Sequence, residues 1–136
     1  METTEESRIE RCIEACLECR RVCFEMAMTH CLKQGGAHVE QGHLSLMLNC
    51  ASLCQTTADF MLAGSALHAE VCRVCADVCA ACAQSCARLA GMEACERACR
   101  RCETLCSELA SAGLAGYQRR EVPDTGVPGG PRRQGM

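Results

Sequence analysis

Fifteen of the sixteen cysteines in this 136-residue chain fall in four runs whose members stand three or four residues apart. The runs are Cys12, Cys16, Cys19 and Cys23; Cys50 and Cys54; Cys72, Cys75, Cys79, Cys82 and Cys86; and Cys95, Cys99, Cys102 and Cys106. Steps of three and four hold side chains on one face of an α-helix, whereas a strand would scatter them over both faces. The opposite positions are charged: Arg11, Glu14, Glu18, Arg21 and Glu25 around the first run, and Glu96, Arg97, Arg100 and Glu103 around the last. Each stripe therefore takes the inward seam that an ordinary bundle gives to leucine. With two Phe, one Tyr and no Trp in the chain, thiols and small aliphatics must fill the interior.

No proline interrupts the chain before Pro123, and Thr3 with Glu6 has the form of a helix capping box. Gly35-Gly36, Gly64-Ser65, Gly91, and Gly113 with Gly116 divide the body into predicted helices at 4–33, 37–63, 66–90 and 92–112. Short connections make sequential helices antiparallel, so the expected fold is all-α: an up-down-up-down four-helix bundle with a cysteine-lined core, spanning residues 1–113. Residues 114–136 form the expected tail; from Tyr117 on, three Pro, four Gly, Arg119-Arg120 and Arg132-Arg133 leave too little apolar content to fold alone. Around the second helix, Leu44, Leu46, Leu48, Leu53 and Phe60 spread beyond the seam, which predicts a second buried face and hence a homo-oligomer.

Several function classes are disfavoured. Met1 to Glu10 is acidic and polar and lacks the pattern of a secretory signal, so a cytosolic location is expected. Thiols are kept reduced there, and many cysteines read as metal ligands or redox centres before they read as structural bridges. The charge-free stretch Gln41 to Ala58 is too polar for a membrane span, and a net charge of −3 gives no basic surface for nucleic acid. The repeated stripe offers no unique nucleophile, and no Cys-His pair shows a third orienting group, so no enzyme activity is expected.

The spacing suits soft metal chemistry. Residues i and i+4 have Cβ atoms about 5 to 6 Å apart, so two thiolates can hold an ion between them without moving backbone. Thiolate and thioether sulfur select Cu(I), while Zn(II) asks for four donors in a tetrahedron. Seven CxxxC pairs in helices fit copper better. Buried thiolates need counter-charge, and neutrality takes about one monovalent ion per cysteine, on the order of 15 to 20 Cu(I) ions. Continued past the cysteines, the register reaches Met26 and His30 in the first helix, Met47 and His43 in the second, and Met92 in the fourth. An up-down bundle gathers these five donors at one mouth. Met61 and His68 make a thinner case at the other end. Cys31 sits one residue off the stripe, beside His30, and is counted with the candidate ligands. A thiol redox reservoir, a disulfide-stapled helical protein and an iron-sulfur carrier are the competing readings.

The runs CIEACLECRRVC at Cys12 to Cys23, CRVCADVCAACAQSC at Cys72 to Cys86 and CERACRRCETLC at Cys95 to Cys106 resemble the copper storage proteins of bacteria. The likeness covers residues 9 to about 110. It implies a four-helix bundle, often a homotetramer, that fills its core with Cu(I) through the fifteen stripe cysteines; the branch without an export signal is cytosolic. A copper chaperone or a low-molecular-weight thiol would be the exchange partner. This chain departs from the pattern where Met26, His30 and His43 stand at stripe positions, which predicts a weaker, more exchangeable loading site at the mouth.

Overall fold

A computed structural model describes residues 4–116. Thr3 of the expected capping box and the expected tail from Tyr117 onward lie outside the described residues. Four long helices carry the fold: α1 at Glu5–Met26, α2 at Gln41–Leu62, α3 at His68–Ala87 and α4 at Glu93–Gly116. No strand occurs among the described residues.

Local chemistry sets the helix ends. Thr4, one residue after the expected cap, accepts the Ser7 N–H on its Oγ1 at 2.9 Å and so satisfies one orphan donor of the first turn. The first helix does not stop at Met26; it widens into a π-turn, Ala27–Cys31, and resumes as Leu32–Gln34. Gly35 breaks it, and Gly36–Val39 winds as a tight 3-10 turn. For that reason α2 begins at Gln41 rather than at 37. At the other end, α4 runs on to Gly116, past its expected stop at 112.

Each helix packs on the next, and α4 closes against α1, giving a four-cornered bundle. The direction is antiparallel: Cys12 at the start of α1 touches Cys106 late in α4, and Cys23 near the end of α1 touches Cys95 early in α4. Thiols and alanines make up most of the core, with Met47, Met92 and Leu109 as its largest fully buried side chains. Such small side chains let four backbones stand close together. The ion pairs of Arg21 with Glu18 and Glu25, and of Arg100 with Glu96 and Glu103, lie on the outer faces and add little to stability.

The turn between α3 and α4 requires glycine. Gly91 has φ of +80°, and a Cβ there would stand 2.7 Å from the His30 ring. Gly91→Ala is therefore expected to cost about 1 to 3 kcal/mol, measured as a lowered denaturant midpoint at unchanged slope.

Candidate metal centre

All sixteen cysteines are free, and none is more than 1 % exposed. Their sulfurs form a continuous line down the bundle axis. Cys106 Sγ stands 3.5 Å from Cys12 and 3.7 Å from Cys16; Cys16 lies 3.6 Å from Cys102, and Cys102 lies 3.8 Å from Cys54. Cys54 meets Cys79 at 3.6 Å, Cys79 meets Cys50 at 3.7 Å, and Cys50 meets Cys19 at 3.8 Å. Cys19 leads at 3.8 Å to Cys99, Cys99 at 3.5 Å to Cys23, and Cys23 at 3.2 Å to Cys95. The thioether of Met47 then joins Cys95 at 3.6 Å to Cys86 at 3.5 Å and Cys82 at 3.7 Å.

Several sets of four sulfurs lie within 4.8 Å of one another, among them Cys16, Cys75, Cys102 and Cys106; Cys54, Cys75, Cys79 and Cys102; Cys19, Cys23, Cys50 and Cys99; and Cys23, Cys82, Cys95 and Cys99. A metal–sulfur bond of about 2.3 Å draws tetrahedral sulfurs to about 3.8 Å of one another, so each set alone would suit a soft cation of either charge. Two facts favour Cu(I). Neighbouring sets share cysteines, which asks the thiolates to bridge ions. One divalent ion per four thiolates would also leave half of their charge buried without compensation. Exchange of one thiol proton for one monovalent ion leaves the core neutral.

The mouth end differs from the sequence expectation in a single structural respect. Steps of four along Cys19, Cys23, Ala27 and Cys31 drift by about 40° each on a regular helix. The π-turn is wider and takes that drift back. Ala27 and Cys31 are fully buried as a result, and Thr29 Oγ1 bonds the Glu25 carbonyl at 2.7 Å within the same turn. Cys31, expected off the stripe, faces inward: its Sγ stands 3.5 Å from His43 Nε2 and 3.8 Å from Met92 Sδ. His30, expected on the stripe, instead turns to the Ala90 carbonyl at 3.1 Å. Met26 packs half-buried at the edge of the core. The structure thus sets Met47 on the thiol line, groups Cys31, His43 and Met92 with one another at its end, and leaves His30 and Met26 to the side.

Two residues of the mouth escaped the sequence reading. His38, in the 3-10 turn, donates from Nε2 to the same Ala90 carbonyl at 2.9 Å and meets the His30 ring edge-on at 5.2 Å. Ser85, buried on α3, holds His43 Nδ1 at 2.8 Å. His38 lies on no cysteine register; Ser85 stands three residues after Cys82, but serine is not a soft-metal ligand and nothing in the spacing singles it out. Burial, then the charges of His38 and Arg88, hold His43 below the ordinary imidazole range. Its ring is therefore neutral at neutral pH and can bind a metal. Hydrogen bonding with Cys23, then with Cys82, holds the Cys95 thiol down to about 6, whereas burial, then Cys95 and Cys82, push Cys31 up.

At the far end Cys72 Sγ touches Met61 Sδ at 4.0 Å. His68 bonds the Ser65 carbonyl through Nδ1 at 3.0 Å and sits away from that pair at the helix start. Leu109 and Ala110 are buried nearby on α4. This end is the more apolar of the two.

Comparisons with known proteins agree with the geometry. Residues 5–111 match the family described as copper storage protein. A crystal structure of a protein from Nitrosospira multiformis superposes with a TM-score of 0.76 at 51 % identity, over 77 % of this chain and 96 % of that one. The Cu(I)-bound copper storage protein BsCsp3 gives 0.70 at 33 % identity, over 76 % and 98 %. A cytosolic copper storage protein from Streptomyces lividans, solved with five coppers, gives 0.70 at 34 %, over 78 % and 94 %. The uncharacterized cysteine-rich protein YhjQ of Bacillus subtilis is 35 % identical over 68 residues, which are 50 % of this chain and 62 % of that protein's length.

Burial of the thiols has a direct consequence. A bulky thiol reagent should leave the native metal-free protein almost unmodified on the timescale of minutes and titrate sixteen thiols once it is unfolded. Rapid native modification of many cysteines would contradict a sealed core.

Proposed function

The chain belongs to the copper storage protein family, and from that premise we propose that it takes up Cu(I) in the cytoplasm and holds it in the bundle as a reserve. The observation that carries this reading is the unbroken line of free, buried thiols whose neighbouring four-sulfur sets share members. Each of the sixteen cysteines serves as a thiolate ligand. Met47, His43 and Met92 serve as softer donors where ions join or leave the line. Cys31 belongs with the mouth donors, because it faces His43 and Met92.

The role is storage and detoxification rather than catalysis. No helix among the described residues is long and apolar enough to cross a membrane, and a cytoplasmic location fits the relative described as cytosolic. The immediate donor or acceptor is a copper chaperone or a small thiol. Self-association to a homotetramer would use the outer face of α1 and α2, where a groove of about 440 Å³ is lined by Phe24, Leu48 and Ala51 with the polar Ser52, Gln55 and Thr56, and Arg20 lies 4.7 Å over the Phe24 ring.

An anaerobic titration with Cu(I) against a chromogenic Cu(I) chelator, with Zn(II) in parallel, tests the proposal. It should give tight binding of about 15 to 20 Cu(I) per chain and weak competition by Zn(II). Saturation at one or two ions, or a preference for Zn(II), would contradict it. Replacing His43 and Met47 together by Ala should slow loading while capacity falls by no more than one or two ions. A large fall in capacity at an unchanged rate would move those residues from the loading route into the store.

A further inference from the structure

The axial end of the bundle at the mouth is tied shut. His30 and His38 both donate from Nε2 to the Ala90 carbonyl, at 3.1 and 2.9 Å. The His30 ring lies so close to Gly91 that no Cβ fits between them. Two elements that would have to part for an axial opening, the segment after α1 and the turn before α4, are thus held by one carbonyl.

An opening exists at the side. Between the start of α2 and the end of α3 lies a pocket of about 370 Å³, lined in part by Glu40, Gly42, His43, Ser85 and Arg88. His43 and Ser85, both buried, therefore line this pocket, and the opposite nitrogen of the His43 ring faces Cys31 at 3.5 Å. A neutral imidazole carries its proton on one nitrogen only. For Nε2 to offer a lone pair toward Cys31 and an arriving ion, Nδ1 must hold the proton and donate it, and Ser85 Oγ is the acceptor at 2.8 Å.

We propose that Cu(I) reaches the thiol line through this side pocket between α2 and α3, and that Ser85 is a positioning residue that fixes the His43 ring with Nε2 facing Cys31. This deepens and rests on the storage reading, for it names the route into that same store. His43 is the pocket's innermost donor, Cys31 and Met92 receive the ion next, and Met47 gives access to Cys82, Cys86 and Cys95. Cu(I) stays monovalent throughout. Each thiol that becomes a ligand releases its proton to solvent.

The test is anaerobic stopped-flow loading with Cu(I) supplied as its acetonitrile complex, followed by the ultraviolet thiolate-to-copper absorbance. The plateau counts stored ions and reports on the storage reading; the rate reports on the route. A Cβ at Gly42 meets nothing within 4 Å, and its backbone is helical, so Gly42→Trp can shade the pocket without strain. It should load several-fold more slowly. Ser85→Ala should slow loading by about tenfold, and Ser85→Thr, which keeps the hydroxyl, should restore most of the rate. Nitrogen NMR of His43 in the metal-free protein should show the Nδ1–H tautomer in the parent chain and in Ser85→Thr, and a mixture in Ser85→Ala. The paired change of His30 and His38 to Ala should not speed loading. Normal loading by Gly42→Trp, or faster loading by the His30 and His38 variant, would place the route at the axial end and overturn the proposal. A Ser85→Ala protein with the parent rate and tautomer would overturn the role of Ser85. A plateau of one or two ions in the parent chain would instead sink the storage reading itself.

Discussion

Everything in this bundle depends on thiol-to-thiol contact at 3.2 to 3.9 Å between facing helices. Cysteine is among the smallest side chains that still carry a strong soft donor, so a seam of cysteine draws four helices together and lines their axis with ligands in one step. A leucine seam would hold helices apart and offer no chemistry. The same contact sets the protonation of the empty store: thiolates this close and this buried would repel one another, so most of the line is neutral thiol before metal arrives. Loading then trades protons for monovalent ions, and the buried charge need not change.

The two ends of the axis are built differently. Toward the α2–α3 turn, Met61 and Cys72 pair, both buried, with no imidazole on them. Toward the other end, neutral imidazole, thioether and hydroxyl groups gather: His43, Met47, Met92 and Ser85. These donors bind a soft ion without needing its charge, so they can pass it on where a thiolate pair would retain it. That difference in ligand chemistry is the ground for the proposed division between a retaining line and an exchanging end.

Much of this was legible in the residues. A period of three and four with charges opposite fixes an inward stripe, and the glycine breaks at Gly35-Gly36, Gly64 and Gly91 mark real turns. The bundle and its fifteen stripe cysteines needed no more than that. The mouth was less legible because regular helical winding does not hold there. Cys23, Ala27 and Cys31 stand at steps of four, a spacing that a regular helix lets drift and a π-turn brings back into line. Spacing alone selected His30, whereas the wider turn delivers Cys31. His38 sits in a 3-10 turn with no seam to follow, and Ser85 acts through His43. Contacts across helices placed both, and those are not written in the period of any one helix. The fourth helix also outran its expected end, since Leu114 and Ala115 after Gly113 are good helix formers and no proline intervenes.

The thiol line itself is the store. The most direct measurement is an anomalous-difference map at the copper edge from crystals of the fully reduced protein loaded with Cu(I). A column of copper peaks is expected along the bundle axis, from the Cys12 and Cys106 layer to the Cys82 and Cys86 layer, with sulfur ligands throughout and helix positions close to those of the metal-free chain. Copper confined to surface histidines, or an axis holding disulfides in place of metal, would contradict it.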